Sequence, residues 1–114
     1  MDDIELVRDS QNGDLDSFNG LVLRYQKMAY NLAFRMLGDT QSAEDATQEA
    51  FFSAWKNIRR FRGGSFKAWV LQITANACRD ELRRIKRRPV IPLDTLPYDP
   101  PAVSAESPED YAIR

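Results

Sequence analysis

Two clusters of side chains in this sequence could do binding chemistry. The first lies between Arg59 and Arg88. It holds ten basic residues (Arg59, Arg60, Arg62, Lys67, Arg79, Arg83, Arg84, Lys86, Arg87 and Arg88) against two acids, Asp80 and Glu81, a net charge of +8. Phe61, Phe66 and Trp69 are set among them. Cationic groups pair with phosphate and aromatic faces stack on bases, so this mixture suits a nucleic acid. The second cluster is Asp45, Gln48 and Glu49, at i, i+3 and i+4, with Phe52 and Lys56 continuing the row. On a helix these share one outward face. Such a face is either a solvated acidic surface or, because Phe52 sits within a charged rim, a protein interface.

Charge separates the two clusters along the chain. Residues 1–58 hold five basic and ten acidic residues, and residues 89–114 hold one basic and five acidic. The net charge of −1 therefore hides a basic middle between acidic flanks. The chain lacks histidine, which removes imidazole acid–base chemistry and the commonest metal ligand. Its one cysteine, Cys78, cannot form an internal disulfide and suits a reducing cytoplasm. No enzyme activity, metal or other cofactor is expected. The acidic start Met1–Glu5 does not read as a signal peptide, and no stretch approaches the roughly 18 apolar residues of a membrane span.

These side chains need elements to hold them, and the apolar spacing is helical almost throughout. Ile4, Leu6 and Val7 predict a short helix stopping near Asn12-Gly13. Asp14 caps a second helix with the stripe Phe18, Leu21, Val22, Tyr25, Met28, Ala29, Leu32 and Met36, ended by Gly38-Asp39. Ser42–Asp45 resembles a capping box opening a third helix that runs to about Arg60. Along it, Ala46, Ala50 and Ala54 permit close packing, with Trp55 and Ile58 in the core. Arg62–Ser65 is a loop, and a fourth helix spans about Ser65 to Arg88. Its stripe reads Leu71, Ala75, Cys78, Leu82 and Ile85, with Phe66, Val70, Ile73 and Ala77 beside it. Gln72, Asn76, Arg79, Arg83 and Arg87 lie opposite. The expected fold is all-α: a compact bundle of about four helices over residues 1–88, then an extended, proline-rich, acidic tail over 89–114. Ser107-Pro108-Glu109-Asp110 in that tail reads as the start of a further helix.

Within the basic segment, Phe61-Arg62-Gly63-Gly64-Ser65 is either a plain connector or a place where backbone amides meet phosphate or base edges. It is too short, and wrongly spaced, for a nucleotide-binding P-loop. Asn76 shares a face with Arg79 and Arg83, one potential base reader among phosphate contacts. Trp69 suits core or surface equally.

The run from Ser42 to Trp55 resembles the second conserved helix of bacterial sigma factors. Phe61–Ser65, then Phe66, Trp69 and Asn76, resemble the promoter-reading segment that follows it, and Gly13-Asp14, Ser17-Phe18 and Arg24-Tyr25 fit the first helices. The group it is most similar to is the extracytoplasmic-function (ECF) sigma factors, over residues 1 to about 88. The resemblance implies a cytoplasmic transcription-initiation protein with two partners, core RNA polymerase and promoter DNA, and an anti-sigma factor as regulator. Asp45, Gln48 and Glu49 match the Asp-x-x-Gln-Glu pattern that binds the beta-prime clamp, with Phe52 beside it. Phe61, Arg62, Gly63, Gly64 and Ser65 match the loop that pockets a base flipped from the non-template −10 strand. Trp69 follows in the same segment, and Asn76 matches a position contacting the same element. Arg79 and Arg83 extend that surface by their shared face alone. Family members carry a second, helix-turn-helix domain reading the −35 element, so the chain is read as the N-terminal part of a longer protein. A stand-alone helical nucleic-acid-binding domain is the alternative.

Overall fold

A computed structural model of the chain describes residues 2–87, which form four helices: α1 (Asp3–Gln11), α2 (Leu15–Leu37), α3 (Thr40–Asn57) and α4 (Phe66–Arg87). A 3-10 turn over Ile58–Arg60 follows α3. The tail expected over 89–114, and the helix start at Ser107–Asp110, lie outside the described residues.

Each helix begins where a short side chain can take up free amides. Asp2 caps α1 reciprocally: it accepts from the Glu5 N–H at 2.9 Å, and Glu5 accepts from the Asp2 N–H. Asp14 caps α2, accepting from the amides of Asp16 and Ser17 and from the Ser17 hydroxyl. Gly38, at φ 74°, ends α2 and donates to the Phe34 carbonyl at 2.7 Å. Ser65 opens α4 by accepting from the Ala68 N–H at 3.1 Å.

The start of α3 corrects the expected capping box. The cap is Asp39, whose carboxylate accepts from the Ser42 N–H at 2.7 Å. Ser42 is thus inside the helix, and Thr40 and Gln41 extend it toward Gly38. That bond holds the Asp39 carboxyl below its ordinary value. Its contribution is therefore present at neutral pH and lost as the pH falls through its folded-state value. The helix also ends earlier than expected, at Asn57, and tightens into the 3-10 turn.

Packing follows from α3. It lies against both α2 and α4, while α1 crosses α2. Ala43, Ala46, Ala50 and Ala54 are at most 3% exposed, so neighbours close in on two sides. Leu6, Val7, Phe18, Leu21, Phe51, Ile58, Phe66 and Val70 form the main core, and Ala33, Ala43, Ala46 and Cys78 a second one. The buried line of α4 is Phe66, Val70, Thr74 and Cys78; of the predicted stripe Cys78 is buried, Leu71, Ala75 and Leu82 are half-buried and Ile85 is exposed. Thr74 was hidden from an apolar count by its hydroxyl, which donates to the Val70 carbonyl at 2.8 Å and so packs without an unpaired group. On α2, Met28 is exposed and Ala33 is buried in its place. Trp55 is half-buried, its ring 5.1 Å from that of Phe18. No described helix is long and apolar enough to cross a membrane.

Burial pushes the Cys78 thiol up to about 12, so at pH 8 it is protonated and shielded. Native protein should react with an alkylating reagent at pH 8 far more slowly than protein in denaturant. Equal rates would show that the α2–α3–α4 seam is open.

Candidate nucleic-acid and protein interfaces

The loop between α3 and α4 is shaped by two left-handed residues. Gly63 and Gly64 have φ of 104° and 82°, a conformation that side chains rarely adopt. Open space surrounds both positions where a Cβ would stand, so glycine is required by backbone geometry rather than by close approach. An aromatic cluster anchors the loop. Phe61 packs edge-on to Phe66 at 6.1 Å and tilted on Trp69 at 5.1 Å, and Phe66 meets Tyr25 at 5.7 Å. Phe66 is buried, whereas Phe61 and Trp69 keep part of their surface open.

This loop forms one wall of a cavity of about 480 Å³. Phe61, Arg62, Gly63, Gly64 and Phe66 face residues of α1 across it: Asp3, Ile4, Val7, Arg8 and Gln11. The volume lies within the range of small-molecule sites. Gln11 joins the two walls, its amide donating to the carbonyls of Ile58 at 2.9 Å and Phe61 at 3.0 Å. Arg59 donates back to the Gln11 carbonyl at 3.1 Å. Asp3, at the cavity edge, accepts from Arg24 at 2.6 Å and from the Tyr25 hydroxyl, which raises the Tyr25 pKa. The α1 wall was missed by sequence reasoning. Its one visible signal was Ile4, 74% exposed in an otherwise polar turn.

Trp69, Gln72, Asn76, Arg79 and Arg83 follow one another at i, i+3, i+7, i+10 and i+14, so they form one stripe along α4. The stripe is about 21 Å long. The four polar members are exposed. Arg79 donates to the Asn76 side-chain oxygen at 2.6 Å, and Arg83 pairs with Asp80. Arg84 pairs with Glu81, and its charged form is further favoured by Asp45 across on α3.

Asp45, Gln48, Glu49 and Phe52 are all exposed along α3, Phe52 by 56%. The Lys56 ammonium lies 4.6 Å from the centre of the Phe52 ring. Gln41 donates to Asp45 at 3.3 Å. The structure brings together two residues from different expected surfaces. Glu49 and Asn76 line one small groove between α3 and α4, with Ser53, Ile73, Ala77 and Asp80. On the other side of α3, Gln48 lines a groove shared with Gln26, Lys27 and Tyr30 of α2. The phenyl-and-carboxylate strip and the loop-plus-stripe surface offer hydrogen bonds, ion pairs and stacking.

Comparison with known proteins gives the family of this helical bundle. Residues 21–88 match sigma-70 region 2. The chain is 35% identical to the ECF RNA polymerase sigma factor SigE of Mycolicibacterium smegmatis, over 87% of this chain and 37% of that protein. It is 40% identical to the RNA polymerase sigma-H factor of Pseudomonas aeruginosa, over 76% of this chain and 46% of that protein. A solved structure, the NMR complex of an engineered region 2 of sigmaE with GTAAAA, superposes with a TM-score of 0.75 at 32% identity, covering 80% of this chain and 96% of that one. The chain belongs to the sigma-70 region 2 family, and the ECF resemblance and the all-α fold are borne out. It spans less than half the length of these two curated relatives.

Gln11→Ala keeps the bond from Arg59 to the Gln11 carbonyl and removes both side-chain bonds from α1 to Ile58 and Phe61. Each is worth about 1 kcal/mol net, so the variant should lose roughly 1–2 kcal/mol of stability in urea and show faster amide exchange across 61–65. Unchanged exchange there would mean the aromatic cluster alone sets the loop.

Proposed function

We propose that this chain acts in transcription initiation as a promoter-recognition module with two partners and no catalysis of its own. Core RNA polymerase is bound through the clamp by Asp45, Gln48, Glu49 and Phe52. The melted non-template strand of the −10 element is bound by the loop Phe61, Arg62, Gly63, Gly64 and Ser65 and by the stripe of Trp69, Asn76, Arg79 and Arg83. The observation that carries this reading is the likeness, over 96% of its length, to a region 2 whose solved complex holds GTAAAA. An anti-sigma factor as regulator and a bacterial cytoplasmic location belong to the same reading.

The cavity beside the loop has the size and mixed lining to take one unstacked base. Phe61 supplies aromatic surface over the buried Phe66, Arg62 supplies donors, and Gly63 and Gly64 leave backbone uncovered, while the Gln11 amide hydrogens are already taken by Ile58 and Phe61. Flipping a base costs a few kcal/mol, and stacking returns about 1–3 kcal/mol per base. The module therefore holds a strand already opened more readily than it opens a duplex, and polymerase supplies the rest. The shared groove of Glu49 and Asn76 suits this division, since a partner seated on α3 reaches the edge of the DNA-facing stripe.

Glu49→Lys places a cation where a basic partner docks. It should lower affinity for core polymerase at least tenfold, about 1.4 kcal/mol, while circular dichroism stays unchanged. Co-purification of the variant at wild-type level would remove the clamp assignment, and failure of the unsubstituted protein to co-purify with core polymerase would leave the stand-alone nucleic-acid-binding reading.

Single-stranded −10 sequence should bind better than duplex. With about four phosphates neutralised, the log–log salt slope should be near −3. Asn76→Ala should cost about 1–3 kcal/mol at one base position, whereas Arg83→Ala should weaken every sequence alike. An Asn76→Ala loss spread evenly over all sequences would make Asn76 a positioning contact.

A further inference from the structure

Asn76 is a carboxamide with an acceptor on one side and two donors on the other, and which side faces a base decides what it reads. Arg79 settles that orientation. Guanidinium has donors only, so its bond to Asn76 at 2.6 Å fixes Oδ1, not Nδ2, as the atom turned toward Arg79. Helical spacing leaves Arg79 no other side-chain acceptor on its own face. Its neighbours at i−4, i−3, i+3 and i+4 are Ala75, Asn76, Leu82 and Arg83. The two nearby acids are engaged elsewhere, Asp80 with Arg83 and Glu81 with Arg84. Among the described residues no other hydrogen bond is made by the Asn76 side chain, so its two amide hydrogens remain available on an exposed position.

We propose that Arg79 is a positioning residue that holds the Asn76 carboxamide in one orientation, so that Asn76 reads a base through its amide hydrogens alone and selects edges built of acceptors. This rests on the reading of α4 as the promoter-facing helix, and it changes the chemistry expected there. Free asparagine pairs in two-point fashion with adenine, accepting from the exocyclic amine and donating to the ring nitrogen. With Oδ1 bonded to a cation, the adenine amine meets an occupied oxygen beside a positive charge. Edges presenting acceptors have no such conflict: O6 and N7 of guanine, O2 and N3 of cytosine, a carbonyl of thymine. Arg79 thereby leaves the set of plain phosphate contacts and becomes a determinant of which base is accepted.

The test has a part without DNA and a part with it. In the free protein, the Asn76 side-chain amide pair is followed by NMR. Arg79→Ala should shift both resonances and loosen the group on the nanosecond scale, with Arg79→Lys intermediate, while backbone amides of α4 stay in place. An amide pair unmoved by Arg79→Ala would overturn the proposal whatever the DNA result. In the second part, single strands of six nucleotides are varied over four bases at each position in turn. At the position where Asn76→Ala abolishes preference, the unsubstituted protein should bind adenine about fivefold or more weaker than the best base, matching a discrimination of about 1 kcal/mol. Arg79→Ala should shrink that adenine penalty to below about twofold, and Asn76→Asp, which offers no donor, should lose the preference for acceptor edges. An Arg79→Ala variant that weakens all four bases by one factor, with their ratios intact, would make Arg79 a phosphate contact and overturn the proposal while leaving α4 as the DNA face. No Asn76-dependent preference at any position would remove both together.

Discussion

The bundle depends on how closely three helices can approach one another across α3. Ala43, Ala46, Ala50 and Ala54 put nothing larger than a methyl group into the seams with α2 and α4. Helices pack at roughly 8–10 Å depending on the side chains between them, and alanine allows the near end of that range. A methylene added at any of these positions would push two neighbours at once, because α3 is covered on both sides. The same coverage leaves α3 one narrow outward strip, and Asp45, Gln48, Glu49 and Phe52 occupy it. The display of that strip is thus a by-product of the packing that holds the domain together.

The contact of α2 with the loop and the start of α4 depends on aromatic rather than small side chains. Tyr25, Phe66, Phe61 and Trp69 form a chain of ring contacts that carries the loop from the core outward. Phe66 is the buried link, and Phe61 and Trp69 are half-open ends. A loop held by rings at its base and by Gln11 at its side keeps two left-handed glycines in place without covering them. Preorganised backbone of this kind spares a bound base part of the ordering cost.

Charge is arranged differently from its composition. The basic segment carries +8 in the sequence, but α4 answers part of it within single turns, Asp80 to Arg83 and Glu81 to Arg84. Exposed pairs like these add little stability, about 0–1 kcal/mol each. Their larger effect is directional, since an acid engaged by an arginine one turn away is taken up before another arginine can reach it. That is why Arg79 is left to Asn76.

Much of this was legible in residue order. Helices declare themselves through local signals, so the boundaries at Asp14 and Gly38, the breaker Gly63-Gly64 and the outward face of Asp45, Gln48 and Glu49 could all be read from spacing and turn chemistry. Local reading failed where a contact replaced a pattern. Asp39 took the cap expected of Ser42 because its carboxylate reaches the Ser42 amide. Thr74 entered the core because its hydroxyl found the Val70 carbonyl, turning the buried line of α4 by one position. The cavity under the loop and the meeting of Glu49 with Asn76 were beyond any local reading. Each joins residues 27 or more positions apart, on helices whose spacing is decided by packing across α3, and no periodicity along one helix encodes the distance to another. Sequence alone determined which residues could bind; tertiary packing determined which of them share a site.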